Sequence, residues 1–128
     1  MYYIYELSCE GIVFYIGKTI RPLKRYKEHA SAIDLSTNRI TYWILLHNKK
    51  LDFRILFCTG NYTDAFFCES KTIMKYRDIK HKLCNIDYNT GNTLDLPIVG
   101  CYNKPAINKQ YIKEVKQYID NFNKSIQL

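Results

Sequence analysis

Long hydrophobic runs are missing from this sequence of 128 residues. A helix that crosses a bilayer needs roughly 20 consecutive apolar residues, and no stretch of the chain approaches that length. The opening residues, MYYIYELSCE, also lack the basic start and the apolar segment of a signal peptide. We therefore expect no membrane partner and an intracellular, cytoplasmic protein. If the source is a eukaryotic virus, the expected location is the nucleus or a viral factory instead of the cytoplasm.

Paired cysteines are missing as well. The chain has five scattered cysteines with no CxxC pair and no Cys/His cluster at zinc-site spacing. An odd, dispersed set is typical of free thiols in a reducing compartment. The sequence therefore gives no sign of a disulfide framework or a zinc finger. The five positions are Cys9, Cys58, Cys68, Cys84 and Cys101.

Positive charge and tyrosine are abundant. The formal net charge is +7 and the pI is near 9.1, which favours polyanions such as nucleic acid or an acidic membrane surface. Twelve tyrosines supply both hydroxyls and stacking faces. Hydrophobic residues make up 47% of the chain and charged residues 24%, the balance of a globular protein, and the length suits one domain.

Aromatic and β-branched residues at the start of the chain predict a β-hairpin. Residues 2–8 and 12–17 flank a short segment that ends in Gly11, and glycine supplies the left-handed conformation that such a turn needs. If the loop has three residues, Tyr5 lies directly opposite Tyr15 and the two share a sheet face. A two-residue loop places them diagonally.

One further strand and four helices complete an α/β (α+β) pattern. Residues 53–59 predict the third strand, which ends before Gly60 and Asn61. The segment after about residue 78 is rich in loop-forming residues until the last helix. The predicted helices are one opened by Thr19 and Pro22, a second over residues 38–49, a third over residues 63–77 with Thr63 as its N-cap, and a fourth near 108–124.

The first helix carries a polar stripe of Arg21, Arg25 and His29 at intervals of four residues. Arginine presents a planar fork of donors that matches phosphate oxygens. A histidine four residues later can orient a tyrosine hydroxyl or relay a proton. The alternative is an exposed helix with ordinary basic residues. The core-facing positions of this helix are predicted to be Leu23, Tyr26, Ala30 and Ile33.

Three other positions are candidates for a site. Gly17 lets backbone N–H groups approach a ligand closely, and Lys18 beside it suits a phosphate. Glu69 lies on or near an apolar helix stripe, where an unpaired charge is expensive; it either binds a cation or a buried base or forms a salt bridge at the core boundary. Asn85 follows the third helix and is either a site residue or a cap or turn residue.

Taken together and in this order, these residues resemble the GIY-YIG nuclease superfamily. Tyr3-Ile4-Tyr5 stands where the family has GIY, and Tyr15-Ile16-Gly17 spells YIG. The run YIGKTIRPLKRYKEH is similar to the family's YIG-K-S/T opening, followed by a helix with arginine and histidine four residues apart. Glu69 in AFFCESKTI stands at the family's metal-binding glutamate, and LCN ends like its L-N segment. The resemblance covers roughly residues 1–90 of the chain.

The sequence departs from the family at two places. Tyr3 replaces the first glycine of GIY, which removes no catalytic group. After Asn85 the family often has a Gly-Gly pair, whereas this chain has IDYNTGN, so the resemblance extends to the chemistry but not to the loop geometry at this place.

The resemblance implies a metal-dependent DNA endonuclease built on a three-stranded antiparallel sheet flanked by helices. Glu69 would hold one divalent ion, Mg²⁺ with Mn²⁺ as a substitute, and Arg25 would stabilise negative charge on the phosphate. Tyr5 or Tyr15 would deprotonate or position the attacking water, and His29 would hydrogen-bond a tyrosine or share the role of base. The implied substrate-binding residues are Gly17, Lys18, Arg21 and Asn85.

The chain divides into a nuclease core, residues 1–90, and a loop and C-terminal helix, residues 91–128, within a single domain. The apolar side of that helix either covers the core or pairs with a twin helix in a homodimer. The size suits a small free-standing nuclease of a phage or mobile element. The rival hypothesis is a catalytically inactive or structure-selective nucleic-acid-binding module on the same scaffold, which would not require Glu69.

Overall fold

A three-stranded antiparallel sheet flanked by three helices forms the part of the chain described by the computed structural model, which is residues 1–9, 11–31, 50–79, 83 and 109–126. This α+β arrangement confirms the predicted fold class. The helix predicted over residues 38–49 and the candidate Asn85 lie outside the described residues. In chain order the elements are β1 (Tyr2–Cys9), β2 (Ile12–Thr19), α1 (Pro22–Ser31), β3 (Asp52–Thr59), α2 (Tyr62–Asp78) and α3 (Lys109–Ile126).

The hairpin of β1 and β2 has a two-residue loop, because Cys9 pairs directly with Ile12. Gly11 in that loop has a φ of 79°, a left-handed conformation that glycine adopts at little cost. A register shift between Leu7 and Ser8 then places Tyr5 opposite Gly17. Tyr5 and Tyr15 are therefore diagonal neighbours with ring centroids 6.1 Å apart, and the register shift, together with the two-residue loop, places them on one sheet face.

β1 is the central strand of the sheet, whose strand order is β2-β1-β3. Residues 3–7 are all buried, because helices cover both faces of this strand. One face carries Tyr5, Leu7 and Phe53 into a core shared with α1 and α3. The other face carries Ile4 and Ile16 into a smaller core with Ala65 and Leu83. Side chains that alternate along β1 and β2 therefore serve two separate cores.

α1 turns two kinds of residue inward. Tyr26 is buried, as the helical spacing predicts, and its hydroxyl donates a hydrogen bond to the carbonyl of Leu51 at 3.2 Å. His29, predicted on a polar stripe, is fully buried. The stripe is therefore not a solvent-facing surface along its whole length. A buried imidazole is tolerated here because it hydrogen-bonds a tyrosine of the sheet.

The N-cap of α2 is Asn61 rather than the predicted Thr63. The side-chain oxygen of Asn61 accepts a hydrogen bond from the backbone N–H of Asp64 at 3.1 Å, and Asn61 has extended backbone angles. Asparagine caps a helix as well as threonine does or better. The helix therefore begins one residue earlier than predicted, at Tyr62, and Thr63 lies within it.

α3 covers the larger core with its apolar side. Val115 and Ile119 are buried within that core, and Phe122 packs at its edge. The hydroxyl of Tyr118 accepts a hydrogen bond from the backbone N–H of Ile55 at 2.9 Å, which fastens the helix to β3. No helix within the described residues is long and apolar enough to cross a membrane.

Candidate active site

Tyr5 and His29 form a buried hydrogen-bonded pair at the centre of the candidate site. The hydroxyl oxygen of Tyr5 lies 2.8 Å from Nε2 of His29, and both side chains are fully buried. The imidazole tautomer decides which group donates. β1 supplies the tyrosine and α1 the histidine, so the pair joins the sheet to the helix that follows the YIG segment.

Gly17 makes room for the ring of Tyr5. The two residues are partners in the pairing of β1 with β2. A Cβ on Gly17 would lie within 2.7 Å of Cε1 of Tyr5 and closer still to Cζ and the hydroxyl oxygen. Any larger residue would therefore displace the phenol from its place against His29. Sequence reasoning assigned this glycine to backbone approach by a ligand and missed its packing role.

Tyr15 borders the same pair but is only partly buried. Its ring centroid lies 5.0 Å from that of His29. Burial raises the pKa of Tyr5 well above its ordinary value of 10.0, Tyr15 adds to that rise, and the charge of Arg25 and its hydrogen bond to the phenol lower it. The Tyr5 hydroxyl is therefore harder to deprotonate than an ordinary phenol, because its pKa is raised. Tyr15 is the more accessible of the two tyrosines.

Arg25 lines a shallow, basic cavity of about 270 Å³ on the outer surface of α1. Its Nη1 donates to a carboxylate oxygen of Glu28 at 3.0 Å. Lys24 and Glu28 were not singled out from the sequence, although the arginine-to-glutamate spacing of three residues is a signal for an ion pair on one helix face. The lining residues are Thr19, Ile20, Arg21, Lys24, Arg25 and Glu28.

Lys18 lies on the side of β2 that faces α2, the helix that carries Glu69. Nζ of Lys18 lies 4.4 Å from the ring centroid of Tyr62. Glu69 is partly buried on α2; burial raises the pKa of its carboxyl group, and the charge of Lys18 lowers it. Within the described residues no group of three or more histidine, cysteine or acidic side chains is placed to hold a metal ion. Glu69 is thus the candidate ligand as a single carboxylate.

The structure therefore brings four of the predicted site residues together on the side of the sheet that α1 covers, whereas Lys18 and Glu69 lie on the side that α2 covers. Tyr5, Tyr15, Arg25 and His29 are in mutual contact or neighbouring positions. Lys18 follows Gly17 in β2, and its positive charge lowers the pKa of the Glu69 carboxyl group. Arg21 is exposed and lines the basic cavity rather than touching the tyrosines.

Comparison with known proteins gave one structural likeness. The chain is similar to the GIY-YIG N-terminal endonuclease domain of UvrC from Thermotoga maritima. The crystal structure is of a point mutant of that domain bound to its catalytic divalent cation. The two share 25% sequence identity over 59% of this chain and 77% of that one, with a TM-score of 0.41. No protein-family model and no curated protein matched the chain. The family named by that structure is the one that the sequence motifs resemble.

Proposed function

We propose that this chain is a metal-dependent endonuclease that hydrolyses phosphodiester bonds in DNA. The observation that carries the proposal is the grouping of Tyr5, Tyr15, Arg25 and His29, of which Arg25 also lines a basic cavity. Hydrolysis of a phosphodiester requires a deprotonated water and stabilisation of charge on the phosphate. These four side chains provide groups for both requirements, and the net charge of +7 suits a polyanionic substrate.

Tyr15 is assigned here as the residue that deprotonates or orients the attacking water. It is less buried than Tyr5, so its side chain is the more accessible of the two to substrate and water. Tyr5 is fully buried, and burial together with Tyr15 holds its pKa well above 10.0 against the opposing effect of Arg25. Tyr5 therefore acts as a positioning residue that fixes His29, and His29 lies close enough to Tyr15 to assist it.

Arg25 is assigned to the phosphate. Its guanidinium lies at the wall of the basic cavity, where an oxygen of the scissile phosphate can accept from its fork of donors. Glu28 occupies one of those donors in the free protein. A phosphate must therefore compete with the carboxylate of Glu28 or share Arg25 with it.

Glu69 is assigned as the protein ligand of a divalent cation, Mg²⁺ or Mn²⁺. The fit rests on the donor set: one partly buried carboxylate, with no hydrogen bond to it among the described residues, suits an ion that keeps most of its water ligands. The bound ion would withdraw charge from the phosphate and lower the pKa of a bound water. Lys18, whose charge acts on the carboxyl group of Glu69, would bind a neighbouring phosphate oxygen and hold the DNA strand near Glu69.

Cleavage of supercoiled plasmid tests the proposal. We expect the wild-type protein to convert it to nicked or linear forms only when Mg²⁺ or Mn²⁺ is added, and Glu69→Gln to abolish conversion. The matched control is Glu114→Gln. It makes the same chemical change on α3, where Glu114 forms an exposed ion pair with Lys50. Cutting without metal, or equal cutting by the Glu69 variant, contradicts the proposed mechanism.

The second candidate, a nucleic-acid-binding module without catalysis, predicts a different result from the same proteins. Wild type and Glu69→Gln would bind DNA with similar affinity, and neither would cut plasmid, single strands or branched DNA in the presence of metal. Binding lost on Arg21 or Lys24 substitution would then assign the basic cavity to DNA binding alone.

A further inference from the structure

α2 exposes two aromatic rings next to Glu69. Tyr62 is 56% exposed and Phe66 is 48% exposed, although both are large and apolar enough to be buried. Residues 62, 66 and 69 follow one face of the helix, because they are spaced by four and three positions. At 1.5 Å per residue, Phe66 lies roughly 4.5 Å and Tyr62 roughly 10 Å along the helix axis from Glu69.

Lys18 is placed between these rings. Its Nζ lies 4.4 Å from the ring centroid of Tyr62 and 5.5 Å from that of Phe66. The Tyr62 ring is also held by an edge contact with Tyr2, at 5.5 Å and an interplanar angle of 71°. These contacts fix the rings in one arrangement with a cation among them. We call Lys18, Tyr62 and Phe66 the aromatic platform.

The chemistry of the platform favours a nucleotide over an apolar partner. A protein surface that covered both rings would also bury the ammonium group of Lys18, which is costly without a paired anion. A nucleotide offers a flat base that stacks on aromatic rings and a phosphate that pairs with the lysine. The overall charge of +7 acts in the same direction.

We propose that the aromatic platform stacks an unpaired nucleobase next to the phosphate that is cut. This inference rests on the proposed endonuclease function and specifies its substrate class. In an intact duplex each base is already stacked on its neighbours and is not available to a protein ring without the cost of extrusion. Substrates with unpaired bases at the cut site, such as single strands, flaps and bulges, are therefore preferred over a fully paired duplex.

A neighbouring ring provides the matched control. Phe67 is 60% exposed, more than Phe66, and its ring meets that of Phe66 edge-on with centroids 5.9 Å apart. It lines a cavity of about 490 Å³ with Phe57, whereas the cation–ring contacts of Lys18 are to Tyr62 and Phe66. Replacing either phenylalanine by leucine keeps an apolar side chain and removes the aromatic face. Since both positions are exposed, neither change should prevent folding, and only Phe66→Leu should act on base stacking.

The first experiment measures kcat/KM with Mg²⁺ on DNA of one sequence, presented as a perfect duplex and with unpaired bases at the cut site. We expect wild type to cut the unpaired form at least about tenfold faster, as the loss of one stacked base allows. Phe66→Leu should lose most of that advantage, and Phe67→Leu should keep it. Equal cutting of both forms by wild type overturns the platform while the endonuclease proposal stands.

The second experiment needs no cleavage. Glu69→Gln protein binds a single strand that carries a fluorescent base analogue whose emission is quenched by stacking. The platform is supported if quenching is lost when Phe66→Leu is added and kept when Phe67→Leu is added. This result would stand even if wild type cuts nothing and the endonuclease proposal fails. No quenching, or equal quenching in the two double variants, overturns it.

Discussion

Gly17 lies directly across from Tyr5 in the pairing of β1 and β2, and the phenol ring fills the space where a Cβ of residue 17 would stand. Gly17→Ala should therefore force Tyr5 away from His29, lowering thermal stability and reducing cleavage together. Gly60→Ala is the control, because nothing lies within 4 Å of a Cβ there. Equal, small effects of the two substitutions would show that the Tyr5 ring relaxes freely.

The two tyrosines of the site should respond differently to loss of their hydroxyls. Tyr15→Phe should reduce kcat by about 100-fold or more, the range for a general base, with little change in the free energy of unfolding. Tyr5→Phe removes the partner of a buried imidazole and should cost about 1–3 kcal/mol of stability, with a smaller loss of kcat. Rates of cleavage and denaturant unfolding of both variants decide the assignment. The opposite ranking of the two kcat values would make Tyr5 the base.

Glu28 should weaken binding of the substrate phosphate through its ion pair with Arg25. Glu28→Gln removes a negative charge from the wall of the basic cavity, so we expect KM for DNA to fall by about threefold at low salt and the gain to shrink as salt is raised. Glu114→Gln makes the same change in net charge at a residue that does not line this cavity and controls for it. A lower KM in both variants would mean that only net charge matters.

Alkaline pH should destabilise the protein through Tyr26. Burial, aided by Asp52, Glu114 and Tyr111, raises the pKa of Tyr26 from 10.0 to about 12. Between these values the unfolded chain releases a proton that the folded protein keeps. Stability is therefore intact below pH 10 and falls above it, by up to about 1.4 kcal/mol per pH unit for this group. Tyr5, with its pKa also raised mainly by burial, adds to the same trend.

Denaturant unfolding across this pH range, followed together with phenolate absorbance, measures the effect. Tyr26→Phe should make the decline shallower, after an initial loss of stability at neutral pH from the missing hydrogen bond to Leu51. An unchanged slope in the variant would remove Tyr26 as a cause of alkaline unfolding.

α3 should behave as part of the core rather than as an appendage. Ile119 is 5% exposed within the larger core, so Ile119→Ala should lower the free energy of unfolding by about 3 kcal/mol. Lys116→Ala, on an exposed position of the same helix, should change it little. A single cooperative transition is expected in both variants. An Ile119 variant as stable as wild type would mean that the rest of the core folds without the helix.

Residue patterns predicted the elements well because each depends on local chemistry. The predicted strand 53–59 begins one residue later than β3, and the predicted helix 63–77 is one residue shorter than α2 at each end. The boundaries are this close because alternation and helical spacing mark the middle of each element. The cap was missed because Asn61 and Thr63 are both good caps, and only the backbone angles distinguish them.

The contacts and burial of the site residues were harder to predict than their identity. The hairpin register depends on the shift at Leu7 and Ser8, which no local pattern encodes, and it decides that Gly17 faces Tyr5. His29 was assigned to a polar stripe because its spacing from Arg25 is helical. Its burial depends on a tyrosine 24 residues away in sequence. The order of the motifs identified the candidate residues. It did not show that Tyr5 and His29 form a buried pair while Tyr15 is partly exposed, because burial depends on the tertiary structure.

The hydrogen bond from Ile55 to Tyr118 has a consequence for assembly. β3 is an edge of the sheet, and an edge strand with unsatisfied donors is a template on which another chain can add a strand. The Tyr118 hydroxyl of α3 accepts from the backbone N–H of Ile55 and so occupies one donor of β3. Strand addition that used this donor would first have to displace the hydroxyl, so a residue of the core-covering helix also opposes aggregation at this point.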